Sequence, residues 1–417
     1  MIAGEEMVLS KSLDSGATFG PPSVVFRAEG LFDGPDKSWL AINTFPRSPT
    51  ANRMAAVAWM GRANQTSLTY SDDGGATWSS PKPVGSPNAT GAQPFFLPDG
   101  SLAILYWHLL GSYYDNNSSR IELIVSPDGG ETFGPTNVVQ VMSGFWFDDP
   151  IAETGPQFPS ACADRQAGLI YLTYQAWNGA APNRVRRILF TKSIDRGQTW
   201  SAPVPVSDTP AGKSVFNLVI AASPDGQHVT IAFADKRHQT TNSFDNFVDY
   251  YLAESFDGGD TWQPNVRLSE FSSDLRKAAN TGKPSFGEYQ GIVPALNFDW
   301  PGVAVWIDTR SGNADPYVVR VNRTKGTTFD AWRRLRFSTN HLANLAVSGE
   351  NADPDGDGIP NLAEYAFDLE PNHPDAGRLK LTQGAPGPSA AVTVAYERWA
   401  MLSDIAFSWE SSADLAS

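Results

Sequence analysis

Apolar positions along this chain fall in short runs separated by polar turns, and long stretches at helical spacing are nearly absent. The stretch Gln157 to Ser207 shows the unit most clearly: FPSACAD, then LIYLTYQAW, then RRILFTKS, then a Pro-containing run after Trp200. Each is short enough to be a strand, and the turns between them are rich in Gly, Asp and Ser. Comparable four-strand units are predicted over about 36–85, 92–140, 214–269 and 287–337. The segment 5–27 holds only the last two strands of such a unit, so its inner two strands are missing or come from the C-terminal part of the chain.

A fixed phrase sits at the third turn of each unit. It reads SLDSGATF from Ser12, SDDGGATW from Ser71, SPDGGETF from Ser126, SIDRGQTW from Ser193 and SFDGGDTW from Ser255, with a worn copy, NRTKGTTF, from Asn322. Asp14, Asp73, Asp128, Asp195, Asp257 and Thr324 stand 55 to 67 residues apart. Ser and Asp side chains cap nearby backbone amides, the Gly admits positive φ, and the aromatic can fold back over the turn. One such turn is commonplace, but a series at one period is how a radially repeated fold shows itself in sequence. The 417 residues, with 13 Trp and 23 Phe, suit one all-β array in which each repeat brings its own packing aromatic.

After about residue 340 the blade pattern stops. The expected layout is a propeller over 1–340, a calcium-loop segment over 341–375 and a small β-rich appendage over 376–417. Within the middle segment, DPDGDGIPNLAE places Asp353, Asp355, Asp357, the Ile359 carbonyl, Asn361 and Glu364 at positions 1, 3, 5, 7, 9 and 12, with Gly358 at position 6. That is the oxygen-ligand spacing of an EF-hand loop and suits a structural Ca²⁺; the bland alternative is an acidic linker. No organic cofactor is expected.

The net charge of −14 argues against nucleic acid and anionic membranes as default partners. There is no apolar run long enough to span a bilayer. The opening MIAGEEMVLSKS has no apolar leader, so the chain is either cytoplasmic or has lost or never included one. The single cysteine, Cys162, excludes an internal disulfide and is expected to be a core thiol.

In a propeller, loops entering each first strand and loops leaving each second strand share one face, opposite the repeated turns. The phrases are therefore scaffold, and candidate chemistry lies at the other end. Loops into first strands carry Asp33, Asp36 and Lys37, then Gln93, Glu153, Gln157, Asn217, Glu288 and Tyr289. Loops after second strands carry Arg62, His108, Tyr113, Tyr114, Asp115, Trp177, Arg184, Asp235, Arg237, His238, Asp308 and Arg310. Carboxylates, Arg and aromatics over one opening suit a glycan site. Equally, each Asp-x-Arg pair, Asp235/Arg237 and Asp308/Arg310, can be an ion pair internal to its blade.

The phrase resembles the Asp-box, or BNR repeat, and the series is similar to the sialidase-type six-bladed β-propeller over about residues 5–337. DKSWLAI at 36–42, GEYQGIV at 287–293 and WIDTRSG at 306–312 look like a group of bacterial BNR proteins often labelled exo-α-sialidase. That resemblance implies three Arg on the substrate carboxylate, a Tyr nucleophile activated by Glu, and an Asp acid/base. Counting blades from Asp36 puts Arg237 and Arg310 near the second and third Arg positions, Lys37 at the first and Asn217 near the Glu position. Counting from the N-terminal half-blade puts Tyr289 at the nucleophile, with Glu288 or Asp235 as its base.

The 353–364 loop resembles those in dockerin-like and thrombospondin-type-3-like tails of secreted bacterial proteins, which implies a secreted or cell-surface location. Two further functions stay open beside hydrolysis of sialic acid or a related acidic sugar. One is a non-catalytic adhesion propeller that binds glycans through aromatics such as Trp177 and Tyr113. The other is a lyase or hydrolase on acidic polysaccharide that uses His108 or His238. In each case the chain is expected to act as a monomer.

Overall fold

The structure is a computed structural model that describes residues 6–14, 16–27, 34–60, 65–110, 119–142, 158–178, 185–239, 247–278, 290–294, 302–321, 329–367, 369, 371–374, 380–383 and 392–395. The chain divides into two compact units, Met1–Asn322 and Arg323–Ser417.

The first unit is an all-β propeller. A two-stranded sheet, β1 (Glu6–Leu9) and β2 (Ser23–Arg27), precedes the blades. Blade 1 is β3 (Pro35–Ile42), β4 (Met54–Met60), β5 (Gln65–Ser71) and β6 (Lys82–Pro83). Blade 2 is β7 (Ala89–Phe96), β8 (Leu102–Leu109), β9 (Ser119–Ser126) and β10 (Asn137–Met142). Blade 3 is β11 (Ser160–Ala163), β12 (Ile170–Asn178), β13 (Val185–Ser193) and β14 (Val204–Pro205). Blade 4 is β15 (Val215–Ala222), β16 (Val229–Asp235), β17 (Phe247–Ser255) and β18 (Val266–Arg267), with β19 (Ser273–Asp274) added on β17. Blade 5 is β20 (Gly291–Val293), β21 (Gly302–Asp308) and β22 (Asp315–Val321). All of these pairings are antiparallel meanders.

The described residues thus form five blades, not the six expected. Among the described residues the first phrase has one strand on either side and no inner strands, so it makes a half-sheet rather than a blade. At the other end, the residues expected to supply the last strand of the 287–337 unit are helical instead: Phe329–Arg336 form α1. Its sequence FDAWRRLR has no β-branched residue, and Phe329 and Trp332, three apart, share one buried face.

The core lies between sheets, in layers that follow chain order. Phe26 and Val25 meet Ala56 and Ala58; Leu68 meets Leu102 and Ile104; Leu105 and Leu123 meet Ile170 and Leu172; Phe190 and Ile188 meet Ile231 and Phe233; Tyr250 and Phe216 meet Trp306 and Ala304. Because both faces of a middle blade are covered, its strands are apolar on both sides, as in β16, where every residue is buried. In contrast β22 alternates between half-buried and exposed positions up to the buried Val321. Cys162 packs half-buried against the layer between blades 3 and 4.

Each of the five full phrases folds into the same turn. The amide of the fixed Gly donates to the Ser hydroxyl at 2.6–2.8 Å, the Ser hydroxyl donates to Asp Oδ1, and the Thr amide and hydroxyl donate to Asp Oδ1 and Oδ2. The Gly also makes room for the blade before it. A Cβ on Gly75 would stand 2.8 Å from Leu9, on Gly130 3.1 Å from Leu68, on Gly197 2.1 Å from Leu123 and on Gly259 2.4 Å from Phe190. Each of those side chains lies three residues before the Ser of the preceding phrase. Lys11 and Lys192, each just before such a Ser, donate to the carbonyls of Gly74 and Gly258 in the next phrase, at 2.8 and 3.0 Å.

The second unit carries α1, α2 (Thr339–Leu342), α3 (Leu345–Ser348), α4 (Asn361–Phe367) and one hairpin, β23 (Lys380–Gln383) with β24 (Val392–Ala395). Phe329, Trp332, Phe337 and Tyr365 form its core. No helix of the described residues is long and apolar enough to cross a membrane.

Two outcomes follow from the repeated turn. Gly197→Ala meets both a φ of +83° and the Leu123 side chain, so it is expected to destabilise the propeller by about 2–4 kcal/mol, read as a shifted denaturant midpoint. The Thr18 hydroxyl and amide, then the Ser12 hydroxyl, hold Asp14 at about 2, and the Thr199 hydroxyl and amide do the same for Asp195. A carboxyl lowered in the fold stabilises it above the ordinary value of 3.8 and loses that contribution as pH falls toward about 2. Stability measured between pH 5 and 2 should therefore drop across that window, and less steeply in the Asp14→Asn, Asp195→Asn double variant.

Candidate functional site at the channel mouth

The innermost strands β3, β7, β11, β15 and β20 line up around the propeller channel in chain order. Near their N-terminal ends, at the face opposite the phrases, three of them carry a bulge. Register slips between Asp36 and Trp39 in β3, between Thr90 and Gln93 in β7, and between Phe216 and Val219 in β15. Each bulge has one residue in the left-handed region: Lys37 at φ 52°, Gly91 at 60° and Asn217 at 46°. For Lys37 and Asn217 that conformation costs about 1–3 kcal/mol, the sort of strain a functional site retains.

The bulges turn side chains toward one cavity of about 50 Å³, to which all five blades contribute. Lys37 and Trp39 come from blade 1, Gly91, Ala92 and Gln93 from blade 2, Phe158, Pro159 and Ser160 from blade 3, Leu218 and Val219 from blade 4, and Gln290 from the approach to blade 5. Side-chain to backbone bonds tie one blade to the next here. Gln93 Oε1 accepts from the Ala161 amide at 2.9 Å, Ser160 Oγ from the Ile220 amide at 3.3 Å, and Gln290 Nε2 donates to the Leu218 carbonyl at 2.8 Å. Gln290 Oε1 is buried and accepts no hydrogen bond.

Phe158 is the hub of the apolar side. Its ring lies against Gly91, where a Cβ would come within 2.1 Å of it, and meets Trp107 edge-on at 5.7 Å. Lys37 Nζ stands 5.1 Å from the centre of the same ring. Burial pulls the Lys37 ammonium below its ordinary pKa, and the charge of Asp36 opposes that shift.

Of the residues singled out in the sequence, Lys37 and Gln93 line this cavity, and Asp36 is next to it, exposed, accepting from the Lys37 amide at 2.7 Å. Arg237 and Arg310 do not line it. Arg237 donates to Asp235 Oδ2 at 3.0 and 2.7 Å, reaches Asp208 at 2.8 Å and stacks 3.7 Å from the Tyr251 ring centre. Arg310 repeats the arrangement with Asp308, at 3.1 and 2.7 Å, and with Tyr317 at 4.4 Å. Both Asp-x-Arg pairs are therefore ion pairs within their blades. Asp235 is fully buried and also accepts the Thr209 hydroxyl at 2.6 Å.

His238 and His108 each face a buried carboxylate, Asp249 at 2.7 Å and Glu122 at 2.9 Å. Asp33, Arg62, Tyr113, Tyr114, Asp115, Glu153, Gln157, Arg184, Glu288 and Tyr289 lie outside the described residues, as does the Trp177 side chain at the end of β12. Sequence reasoning missed Trp39, Phe158 and Gln290. The first stands two residues past Lys37 and Gln290 directly follows Tyr289, so the bulge that brings them together was the missing signal.

In the second unit the carboxylates of Asp353, Asp355 and Asp357 offer oxygens within 4.8 Å of one another. The amides of Gly356 and Gly358 donate to Asp353, and that of Ile359 to Asp357, which shapes the loop around them. Burial and the neighbouring Asp357 and Asp353 charges push the Asp355 carboxyl above its ordinary value. Asn361 and Glu364, on the first turn of α4, are fully buried. This donor set, all oxygen, fits a hard divalent cation.

No protein-family model and no curated protein matches the chain. Solved structures do. Hadza microbial sialidase Hz136 is 17% identical with a TM-score of 0.44, over 76% of this chain and 59% of its own length. An α-L-arabinanase of Penicillium chrysogenum complexed with arabinobiose is 14% identical with a TM-score of 0.46, over 67% of this chain and 77% of its own. A polysaccharide lyase, an ulvan lyase, is 13% identical with a TM-score of 0.40, over 69% and 70%. The structural neighbours include sialidases and an arabinanase with a propeller arrangement. The chain spans 59% of the length of Hz136.

Because Phe158 occupies the space a side chain at Gly91 would need, Gly91→Ala should displace the ring and open the mouth. The measurable result is faster acrylamide quenching of the buried Trp107 indole, compared in a background lacking the other tryptophans.

Proposed function

We propose that the propeller acts on glycans and receives a terminal acidic sugar at the channel mouth, hydrolysing its glycosidic bond in the manner of an exo-α-sialidase. The observation that carries this reading is the convergence of all five blades on one cavity that offers an ammonium, two aromatic rings and two amides. Sugar rings bind on aromatic faces, their hydroxyls on amides, and a sugar carboxylate on a cation. Lys37 would take the carboxylate, Trp39 and Phe158 the ring, and Gln93 and Gln290 the hydroxyls.

Gln290 also ties the chain to blade 4 immediately after Glu288 and Tyr289. In this proposal Tyr289 is the nucleophile, since a neutral phenol is not repelled by the substrate carboxylate, and Glu288 is its base. Asp235 is assigned no catalytic part, because Arg237 and Thr209 take up its oxygens. The reading also places the chain on a secreted or cell-surface protein working as a monomer, where acidic glycans are met.

The internal pairing of Arg237 and Arg310 favours a second reading, a glycan-binding propeller without turnover, because it removes two guanidinium groups from the substrate carboxylate. The purified protein on a fluorogenic α-sialoside separates the two. Hydrolysis that falls at least about 1,000-fold in Tyr289→Phe supports the first; no hydrolysis together with retained binding on an array of acidic glycans supports the second. Under either, Lys37→Ala should weaken binding of acidic glycans by about 10- to 100-fold and leave neutral glycans unaffected. Equal losses for both would remove Lys37 as the carboxylate partner.

A further inference from the structure

We propose that the propeller closes on itself through a side-chain seam, in which Val318 and Arg320 of blade 5 engage the first phrase, SLDSGATF, of the half-sheet.

The repeated contact defines what each end of the array lacks. In the second to fifth phrases the fixed Gly faces a side chain of the preceding sheet: Leu9 at Gly75, Leu68 at Gly130, Leu123 at Gly197 and Phe190 at Gly259. The closing aromatic covers that contact, most directly where Trp262 meets the Phe190 ring at 5.0 Å. In the first phrase the same slot is unfilled. Among the described residues, a Cβ on Gly16 would meet nothing within 4 Å, and the closing aromatic Phe19 is 67% exposed, whereas Trp78, Phe133, Trp200 and Trp262 are half-buried.

Blade 5 carries the other half. Its place in the repeat follows from the sheet register: Asp235 pairs with Asp249 in blade 4 and Asp308 with Asp315 in blade 5, so Leu252 corresponds to Val318 and Ser255 to Val321. Leu252 stands three residues before the Ser of its phrase, as Leu68, Leu123 and Phe190 do, and is fully buried. Val318, in contrast, is 65% exposed. Two residues on is Arg320, also exposed, at the place held by Lys11 and Lys192, which donate to carbonyls of the next phrase at 2.8 and 3.0 Å. Blade 5 thus offers an apolar side chain and a cation where a following phrase would take both. The first phrase offers a glycine slot and an uncovered ring where a preceding blade would fill both.

The two ends also turn toward each other. Blade 1 faces blade 2 with Ala55 and Val57 and the half-sheet with Ala56 and Ala58, while blade 5 faces blade 4 with Ala304 and Trp306. Lys37 and Trp39 of blade 1 line the same cavity as Gln290 at the approach to blade 5, so the half-sheet lies on the side of blade 1 from which blade 5 completes the circle. Seating Val318 beside Gly16 and under Phe19 takes both side chains out of water, the driving force that holds the other interlayers. Arg320 then reaches the corresponding carbonyl of the first phrase. Because Lys37 and Gln290 stand on the two blades that flank it, the seam sets the width of the mouth. The inference does not rest on the glycan reading.

The test uses the full chain with Cys162→Ser, so that the only thiols are those introduced by Phe19→Cys and Val318→Cys, and treats it with a short bis-maleimide. A cross-link within one chain is expected, read as a linked peptide pair in a product of monomer mass. Cross-links only between chains would give the two surfaces to a second copy and overturn the seam, as would no cross-link. A second measurement keeps Cys162 in place. Val318→Asp puts a carboxylate into the slot and should lower the thermal midpoint by about 3 °C or more, whereas a side chain that stays in water would leave it unchanged. Phe19→Ala should lower it as well, and the double variant no further than the larger single loss, since both act on one contact. An unchanged midpoint in Val318→Asp, or losses that simply add, would overturn the proposal.

Discussion

The contact between the glycine of the second to fifth phrases and the strand that leads into the phrase before it sets the spacing of neighbouring sheets. Leu9, Leu68, Leu123 and Phe190 each occupy the space where the next phrase has no Cβ. Any larger residue would push neighbouring sheets apart at one end and alter the angle between them. Trp78, Phe133, Trp200 and Trp262, which close the phrases, pack into the same interlayers and cover that contact. Complete burial of a side chain such as Leu123 stabilises by about 1.5–3 kcal/mol, so a series of these contacts outweighs the cost of holding each turn. The Ser–Asp–Thr bonds make the turn identical each time; the missing Cβ makes the spacing identical.

With sheet spacing set at that end, the opposite end of the channel is free to carry strain. Bulges in β3, β7 and β15 place Lys37, Gly91 and Asn217 in left-handed backbone at corresponding positions, and bonds from Gln93, Ser160 and Gln290 secure the strands around them. Gly91 is relaxed in that conformation, whereas Lys37 and Asn217 are not. Lys37 lines the cavity and Asn217 directly precedes its lining residue Leu218, while the repeated turns stay away from it. Such a division, rigid scaffold on one face and strained strand ends on the other, is how one fold carries a site without losing its packing.

The sequence made the scaffold legible because a period of invariant residue types survives without knowledge of contacts. Four-strand units, their order and the turn chemistry could all be read from Ser, Asp, Gly, Thr and Trp or Phe. What stayed hidden were features without a residue signature. A bulge is an extra residue opposite a partner strand, and nothing in KSW or NLV announces it. The two Asp-x-Arg motifs read equally well as a substrate clamp and as an internal pair, and only the positions of Tyr251 and Tyr317 decide between them. The blade count fell short because a phrase marks a turn, not the number of strands around it, and the helix at Phe329–Arg336 begins where a strand was expected.

The channel mouth is where an acidic sugar is proposed to sit. The direct test is a crystal structure of the Tyr289→Phe variant soaked with a sialylated oligosaccharide. The sugar carboxylate should lie beside Lys37 Nζ, with the pyranose ring against Trp39 or Phe158. A sugar bound at another face, or a mouth left empty while the glycan is bound in solution, would contradict the account.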